Sequence, residues 1–274
     1  MSTHDDRTPA ATPSATPADE QVDLSLRLDG RTALVTGGAS GIGSAVCGLL
    51  ADRGARVVVV DVAEEAARAR AGELGGPAAG QHLAVACDVT DAASVEAAVE
   101  EAVAATGRVD VLVTCAGIAV LAPAEDLSDD AWSRTLAVNL TGTFLVARAV
   151  GRRMLAAGYG RVVTMASQAA TVALDGHAAY CASKAGVVGL TRVLALEWAG
   201  RGVTANSVSP TVVLTALGRS AWSGQKGEDA KAQIPTGRFA LPDEVAAAVL
   251  YLSSGAAGMV NGHDLVLDGG YTIR

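Results

Sequence analysis

Aromatic residues make up only 3% of this 274-residue chain, although half of it is hydrophobic. A core built from large rings is thereby excluded, and the packing must come from Ala, Val and Leu. Lysine is scarce too: 18 of the 21 basic residues are Arg, leaving three lysines. The net charge of −8 offers no basic stripe, which argues against nucleic-acid and anionic-membrane partners. Four cysteines, at 47, 87, 115 and 181, form neither a CxxC pair nor any metal-ligand spacing. That usage points to a reduced, cytoplasmic compartment and to no metal site. No uninterrupted apolar run reaches the ~18 residues of a membrane span. Residues 1–22 are rich in Pro, Thr, Ala and Asp and lack the apolar core of a signal peptide. They read as a disordered tail. The remainder, 23–274, is expected to form one domain.

What is present starts at Thr32. Residues 32–43 read Thr-Ala-Leu-Val-Thr-Gly-Gly-Ala-Ser-Gly-Ile-Gly. A short apolar strand runs into a glycine cluster, and Ile42, Ala45, Val46, Leu49 and Leu50 then recur at helical spacing. Strand, glycine turn and helix together suit a pyrophosphate, because glycine lets the backbone approach and the helix N-terminus supplies free N–H groups. The glycines Gly37, Gly41 and Gly43 give the spacing GxxxGxG. Next, Arg56–Val60 is a β-branched run suited to a strand buried on both faces. It ends at Asp61, eighteen residues beyond Gly43. An acid there suits a ribose 2′-hydroxyl and repels a 2′-phosphate. No Arg or Lys stands at 38–42 or at 62, so NAD is expected rather than NADP. Asp61 also has a purely local reading, as a cap for the helix that follows.

Strands and helices alternate to the C-terminus. Strands are expected at 32–36, 56–60, 81–87, 110–114, 161–166, 203–208 and 265–267. Helices are expected at 63–74, up to about 106 after a Thr90 or Asp91 cap, from 127 to about 155, and at 178–199. The pattern predicts an α/β fold: a single-domain, doubly wound, Rossmann-type parallel sheet of about seven strands with helices on both faces. Ligands of such sheets sit outside the carboxyl ends of the strands. Gly37, Asp61, Asp88, Gly117, Ser167 and Pro210 all fall there.

Tyr180 and Lys184 are four residues apart on the 178–199 helix, and Ser167 lies thirteen residues before the tyrosine. Residues i and i+4 share a helix face. A nearby ammonium favours the phenolate and lowers the tyrosine pKa, which suits proton exchange with an alcohol or carbonyl.

With these residues the chain resembles a short-chain dehydrogenase/reductase from about Leu28 to Thr272. The resemblance implies a catalytic set of Asn139, Ser167, Tyr180 and Lys184. It implies cofactor contacts at Gly37, Ser40, Gly41, Ile42, Gly43, Asp61, Asp88, Val89, Cys115, Ala116 and Gly117, at Tyr180 and Lys184, and at Pro210, Thr211, Val213 and Thr215. Two departures stand out. Thr114-Cys115 replaces the family's paired asparagines, and Thr211 replaces the glycine after Pro210.

Within the family the chain is similar to polyol dehydrogenases and sugar reductases, through Ser167-Gln168, His177, the run Ser209–Val213, and Trp222. That implies a small polyhydroxylated substrate held by Ser167, Gln168, His177, Tyr180 and Trp222, for example D-threitol oxidised to D-erythrulose. A lid at about 211–239, polar through Arg219, Ser223, Gln225, Lys226, Glu228 and Asp229, is expected to favour hydroxylated substrates. The long helices at 130–155 and 178–199 resemble the family's four-helix dimer interface, which implies a homotetramer. Two other readings stand beside this one: a 3-oxoacyl carrier-protein reductase, which Asp61 and the acidic charge oppose, and a non-catalytic dinucleotide sensor, for which Tyr180 and Lys184 would be superfluous.

Overall fold

The computed structural model describes residues 22–274. The expected N-terminal tail, Val22 apart, lies outside them. The elements run β1 (Thr32–Thr36), α1 (Gly41–Asp52), β2 (Arg56–Asp61), α2 (Glu64–Glu73), β3 (Leu83–Ala86), α3 (Ala92–Thr106), β4 (Val111–Thr114), α4 (Asp129–Leu136), α5 (Thr143–Ala157) and β5 (Gly160–Met165). They continue with α6 (Ala178–Trp198), β6 (Val203–Pro210), α7 (Ala216–Ala221), α8 (Gln225–Ala232), α9 (Pro242–Ser253) and β7 (Asp264–Leu267). The seven strands form one sheet in the order β3-β2-β1-β4-β5-β6-β7, and every adjacent pair is parallel. The chain leaves β1 toward β2 on one side and returns to β4 on the other. A crevice therefore opens at the carboxyl ends of β1 and β4, where such sheets bind ligands.

The β2 run shows why the sheet is buried on both faces. Successive side chains of a strand point to opposite faces. Val57 and Val59 belong to the buried cluster on one face, which includes Val46 and Leu50 of α1 and Val245 and Val249 of α9. Val58 and Val60 belong to the cluster on the other face, which includes Val99 of α3, Val150 of α5 and Leu194 of α6. The scarcity of rings is met by small residues that let helices approach closely. On α5, a Cβ at Gly151 would stand 2.4 Å from the Trp198 ring.

The expected helix at 127–155 is interrupted. Ser128 caps α4 by accepting from the Ala131 N–H, and the wider π-turn Ala137–Gly142 separates α4 from α5. Such turns recur at functional sites, and this one carries Asn139. Asp91, not Thr90, caps α3. β6 runs two residues past its expected end, because it pairs with β7 as far as Pro210 and because the Ser207 and Ser209 hydroxyls both donate to Asp264. Helix α9, begun by Pro242, was not expected from the sequence. Glu244 anchors its start by accepting from the Leu241 N–H and from Arg238, and these bonds hold its carboxyl down at about 2.

Among the described residues, the segment Ala178–Arg201 is long and apolar enough to cross a membrane by length and composition. Its packing explains that character. Ala179, Val187, Leu194 and Trp198 are buried, and Thr191 hydrogen-bonds Thr164 of β5 at 2.7 Å.

Candidate active site and nucleotide cleft

The glycine turn is built by close approach. Gly37 has φ +65°, and a Cβ there would lie 2.7 Å from the Ala116 nitrogen. The end of β1 therefore rests directly on the loop after β4. A Cβ on Gly43 would stand 2.1 Å from the Gly37 carbonyl oxygen, and one on Gly41 would meet the Thr215 methyl at 3.4 Å. Ser40 and Gly41 are exposed at the start of α1, and Ser40 makes no side-chain cap. The first N–H groups of α1 thus face the crevice with the segment after β6 opposite. Val213 is fixed by bridging to Ala240, and Thr215 caps α7 through Gly218.

Asp61 ends β2 and points back at the turn. Its carboxylate accepts from the Ala39 N–H at 3.2 Å and from the Ala63 N–H at 3.1 Å. It is not the cap of α2, whose N-cap position is Ala63. Asp88 is exposed beyond β3. The Thr90 hydroxyl and amide both donate to it and lower its pKa. Val89, beside it, is buried against Gly142 of the π-turn.

At the Thr114-Cys115 departure, the Thr114 hydroxyl is buried with no partner. Strand register to Thr36 and Thr164 holds the position instead. Burial pushes the Cys115 thiol up to about 12, against the pull of Lys184, so it is an inert neighbour of the cleft.

The four expected catalytic residues converge. Asn139, 1% exposed, accepts from the Ile118 N–H at 2.8 Å and donates to the Ile118 carbonyl at 2.9 Å and to the Ser183 hydroxyl at 3.0 Å. Ser183 in turn donates to the Tyr180 carbonyl. The Asn139 amide is therefore spent on bracing the β4 loop against α6. Its backbone carbonyl accepts from the Thr143 hydroxyl. Gly117 fits closely here, since a Cβ would stand 3.3 Å from the Asn139 side-chain oxygen and 3.6 Å from Lys184 Nζ.

Lys184 Nζ donates to the Met165 carbonyl at 2.7 Å and lies 5.6 Å from the Tyr180 ring centre. The electrostatics differ from the expectation that lysine sets the tyrosine pKa. Burial pushes Tyr180 up, and the neighbouring Ser167 side chain opposes that shift. Burial also pushes Lys184 down, to about 8. Both shifts disfavour charge, as loss of water requires, and Ser167 is the group that eases phenolate formation in this structure.

Beside this cluster lies a cavity of about 390 Å³. Gln168, His177 and Trp222 line it, whereas Ser167 and Tyr180 stand outside its lining. The His177 ring meets Tyr180 edge-on at 6.0 Å, and Trp222 packs on Phe239 at 5.9 Å. Of the expected polar lid, Lys226 lines the cavity. Gln225 bonds Asp229, and Glu228 bonds Lys231, on the outer face. Apolar Leu121, Leu174, Val212, Trp222, Ile234 and Phe239 share the cavity wall with Gln168, Asp175, His177, Lys226 and Gln233. Thr211 also lines the cavity. Leu121, Leu174 and Tyr271 were not legible as site residues, because they come from loops and the C-terminus and carry no chemical signature. Among the described residues no cluster of His, Cys, Asp and Glu suits a metal.

A doubly wound sheet with a glycine turn, a carboxylate behind it, and Ser, Tyr and Lys at the crevice defines a pyridine-nucleotide oxidoreductase. The family model described as enoyl-(acyl carrier protein) reductase matches residues 37–272, and the chain belongs to that family, the short-chain dehydrogenases/reductases. It is 61% identical to D-threitol dehydrogenase of Mycolicibacterium smegmatis over 92% of this chain and 97% of that one. It is 46% identical to an NAD-dependent glycerol dehydrogenase of Listeria innocua over 92% and 98%. The crystal structure of a gluconate 5-dehydrogenase from Burkholderia cenocepacia J2315, in complex with NADP and tartrate, superposes with a TM-score of 0.84 at 36% identity, over 91% of this chain and 98% of that chain.

Proposed function

We propose that the protein is an NAD-dependent polyol dehydrogenase that oxidises a secondary hydroxyl of a small sugar alcohol, with D-threitol to D-erythrulose as the leading reaction. The observation that carries this is the convergence of Ser167, Tyr180 and Lys184 beside a cavity containing Gln168 and His177. The 61% identity to a D-threitol dehydrogenase supports the substrate. The cradle fits a dinucleotide, since Gly37, Gly41 and Gly43 leave room where side chains would intrude. When bound, the nicotinamide supplies hydride acceptance.

The chain's own residues do the rest. The Ser167 hydroxyl holds the reacting oxygen as a neutral donor. Tyr180 takes the hydroxyl proton. Lys184 is compact enough to reach a ribose hydroxyl and stays largely charged at neutral pH. Asn139 positions α6 through Ser183. The Asp61 carboxylate, held at the turn, supports NAD over NADP by repelling a 2′-phosphate. We further propose one catalytic domain over 23–274 with a lid at 211–239, a homotetramer, and a cytoplasmic location.

A second reading, a cyclic or otherwise apolar secondary alcohol as substrate, is favoured by the apolar side chains of the cavity wall. NADH formation from NAD with D-threitol, erythritol, xylitol, galactitol and 2-butanol separates the two. Turnover confined to polyols, and falling at least about a thousandfold in Tyr180→Phe, is the expected result. Turnover with 2-butanol and none with polyols overturns the polyol reading.

A further inference from the structure

We propose that Lys226 is a specificity-determining residue, its ammonium holding an oxygen of the substrate other than the one that reacts. The assignment rests on the polyol reading above. The chain has three lysines, and the structure puts them to three uses. Lys184 is buried in the catalytic cluster. Lys231, on α8, pairs with Glu228 at 2.8 Å. Lys226, near the start of the same helix, pairs with no carboxylate among the described residues. Its Nζ lies instead 4.8 Å from the centre of the Trp222 ring, and both residues line the substrate cavity. Trp222 is itself packed on Phe239 of the cavity wall, so the ring that carries the ammonium is held in place.

A ring face attracts the charge of an ammonium but takes up no hydrogen bond to oxygen. Lysine has three N–H donors, and those of Lys226 meet no protein oxygen. Gln233, another lining residue of the lid, has the same sense. A guanidinium only donates, so the Gln233 oxygen accepts from Arg274 at 3.1 Å and the amide NH2 is the free end. Beside Tyr180 the polarity is reversed. His177 Nδ1 donates to the Asp175 carbonyl at 2.6 Å, which leaves Nε2 of the neutral ring as an acceptor. Asp175 is also the only acid among the lining residues. Donors therefore stand on the lid, and acceptors on the loop before α6. A hydroxyl both donates and accepts, so a chain of hydroxylated carbons can serve both sides. A methyl group placed at the lid forgoes a charge-assisted hydrogen bond.

The test compares Lys226→Met and Lys231→Met with the wild type. Methionine keeps a long flexible side chain that packs well on a ring and removes the charge. D-threitol is the substrate, and 2,3-butanediol of matching configuration, which lacks the terminal hydroxyls, is the competitor. Lys226→Met is expected to raise the KM for D-threitol about tenfold with kcat held, as loss of one hydrogen bond to a charged group predicts. The inhibition constant of 2,3-butanediol and the Kd for NAD are expected to hold, and Lys231→Met is expected to behave as wild type. An unchanged KM in Lys226→Met overturns the assignment and leaves the polyol reading intact. An equal rise in Lys231→Met also overturns it, by tracing the effect to the lid's overall charge. A weaker Kd for NAD, with both diols affected alike, overturns it by moving Lys226 to the cofactor side. A wild type that oxidises 2-butanol and no polyol sinks both proposals.

Discussion

The two walls of the crevice are built on opposite terms. On the nucleotide wall, the groups that matter are main chain or are held by main chain. Gly38 donates to the Val60 carbonyl, and both Asp61 oxygens are bonded. Gly37 and Gly43 stand where no Cβ fits. On the substrate wall side chains do the lining: Leu121, Val212, Trp222 and Phe239 alternate with Gln168, His177, Lys226 and Gln233. One wall is set by main-chain geometry, and the other by the side chains that line the cavity. A ligand common to many enzymes is met by backbone geometry, while the variable ligand is met by side chains that can be exchanged singly.

The sharpest way to break this comparison is Gly43→Ala. Its Cβ would fall 2.1 Å from a carbonyl oxygen, and backbone cannot step aside cheaply. An NAD Kd weakened by at least about a hundredfold, with a lower melting temperature, is expected by analogy with core overpacking of about 1–3 kcal/mol or more. Calorimetric titration of the variant checks it, and a near-normal Kd would mean the turn is softer than its geometry implies.

Lys184 sharpens the comparison from the catalytic floor. Its folded pKa of about 8 lies below the ~10.4 of a free lysine. Between those values the unfolded chain binds more protons than the folded one. Stability therefore rises with pH across that window, and the penalty of the buried ammonium is fully present below pH 8. Relative to Lys184→Met, the wild type should gain about 3 kcal/mol between pH 7.5 and 10.5. Urea unfolding at the two pH values measures it, and a flat difference would show that Lys184 titrates normally.

The smallest expected effect is Asp61→Ala. Removing the carboxylate should narrow the preference for NAD over NADP by about tenfold, one or two hydrogen bonds' worth. Kd values for the two nucleotides report it. An unchanged ratio would confine Asp61 to bracing Ala39 and Ala63.

The same division explains what the sequence made legible. The seven strands, the glycine turn, Asp61 and the Tyr180–Lys184 pair follow from periodicity and spacing, which the backbone obeys directly. The lid was legible only in part: Lys226 lines the cavity, while Gln225 and Glu228 bond Asp229 and Lys231, and composition does not say which side chains turn inward. The tyrosine's electrostatics misled for a similar reason. Spacing placed a cation nearby, but burial, which depends on every packed element, set the direction of the shift. Helix α9 had its signals, Pro242 at the first turn and Val245, Val249 and Leu252 at helical spacing, diluted by the alanines between them.

The π-turn at Ala137–Gly142 constrains how this chain can vary. A single inserted residue rotates everything beyond it by about 100° around a helix axis. Val146, Val150 and Met154 face the core only because that rotation is built in. Trimming the turn back to a regular helix would swing those side chains toward water while also displacing Asn139. A single-residue deletion anywhere in 137–142 is therefore two lesions at once, one to the hydrophobic core and one to the brace beneath Tyr180.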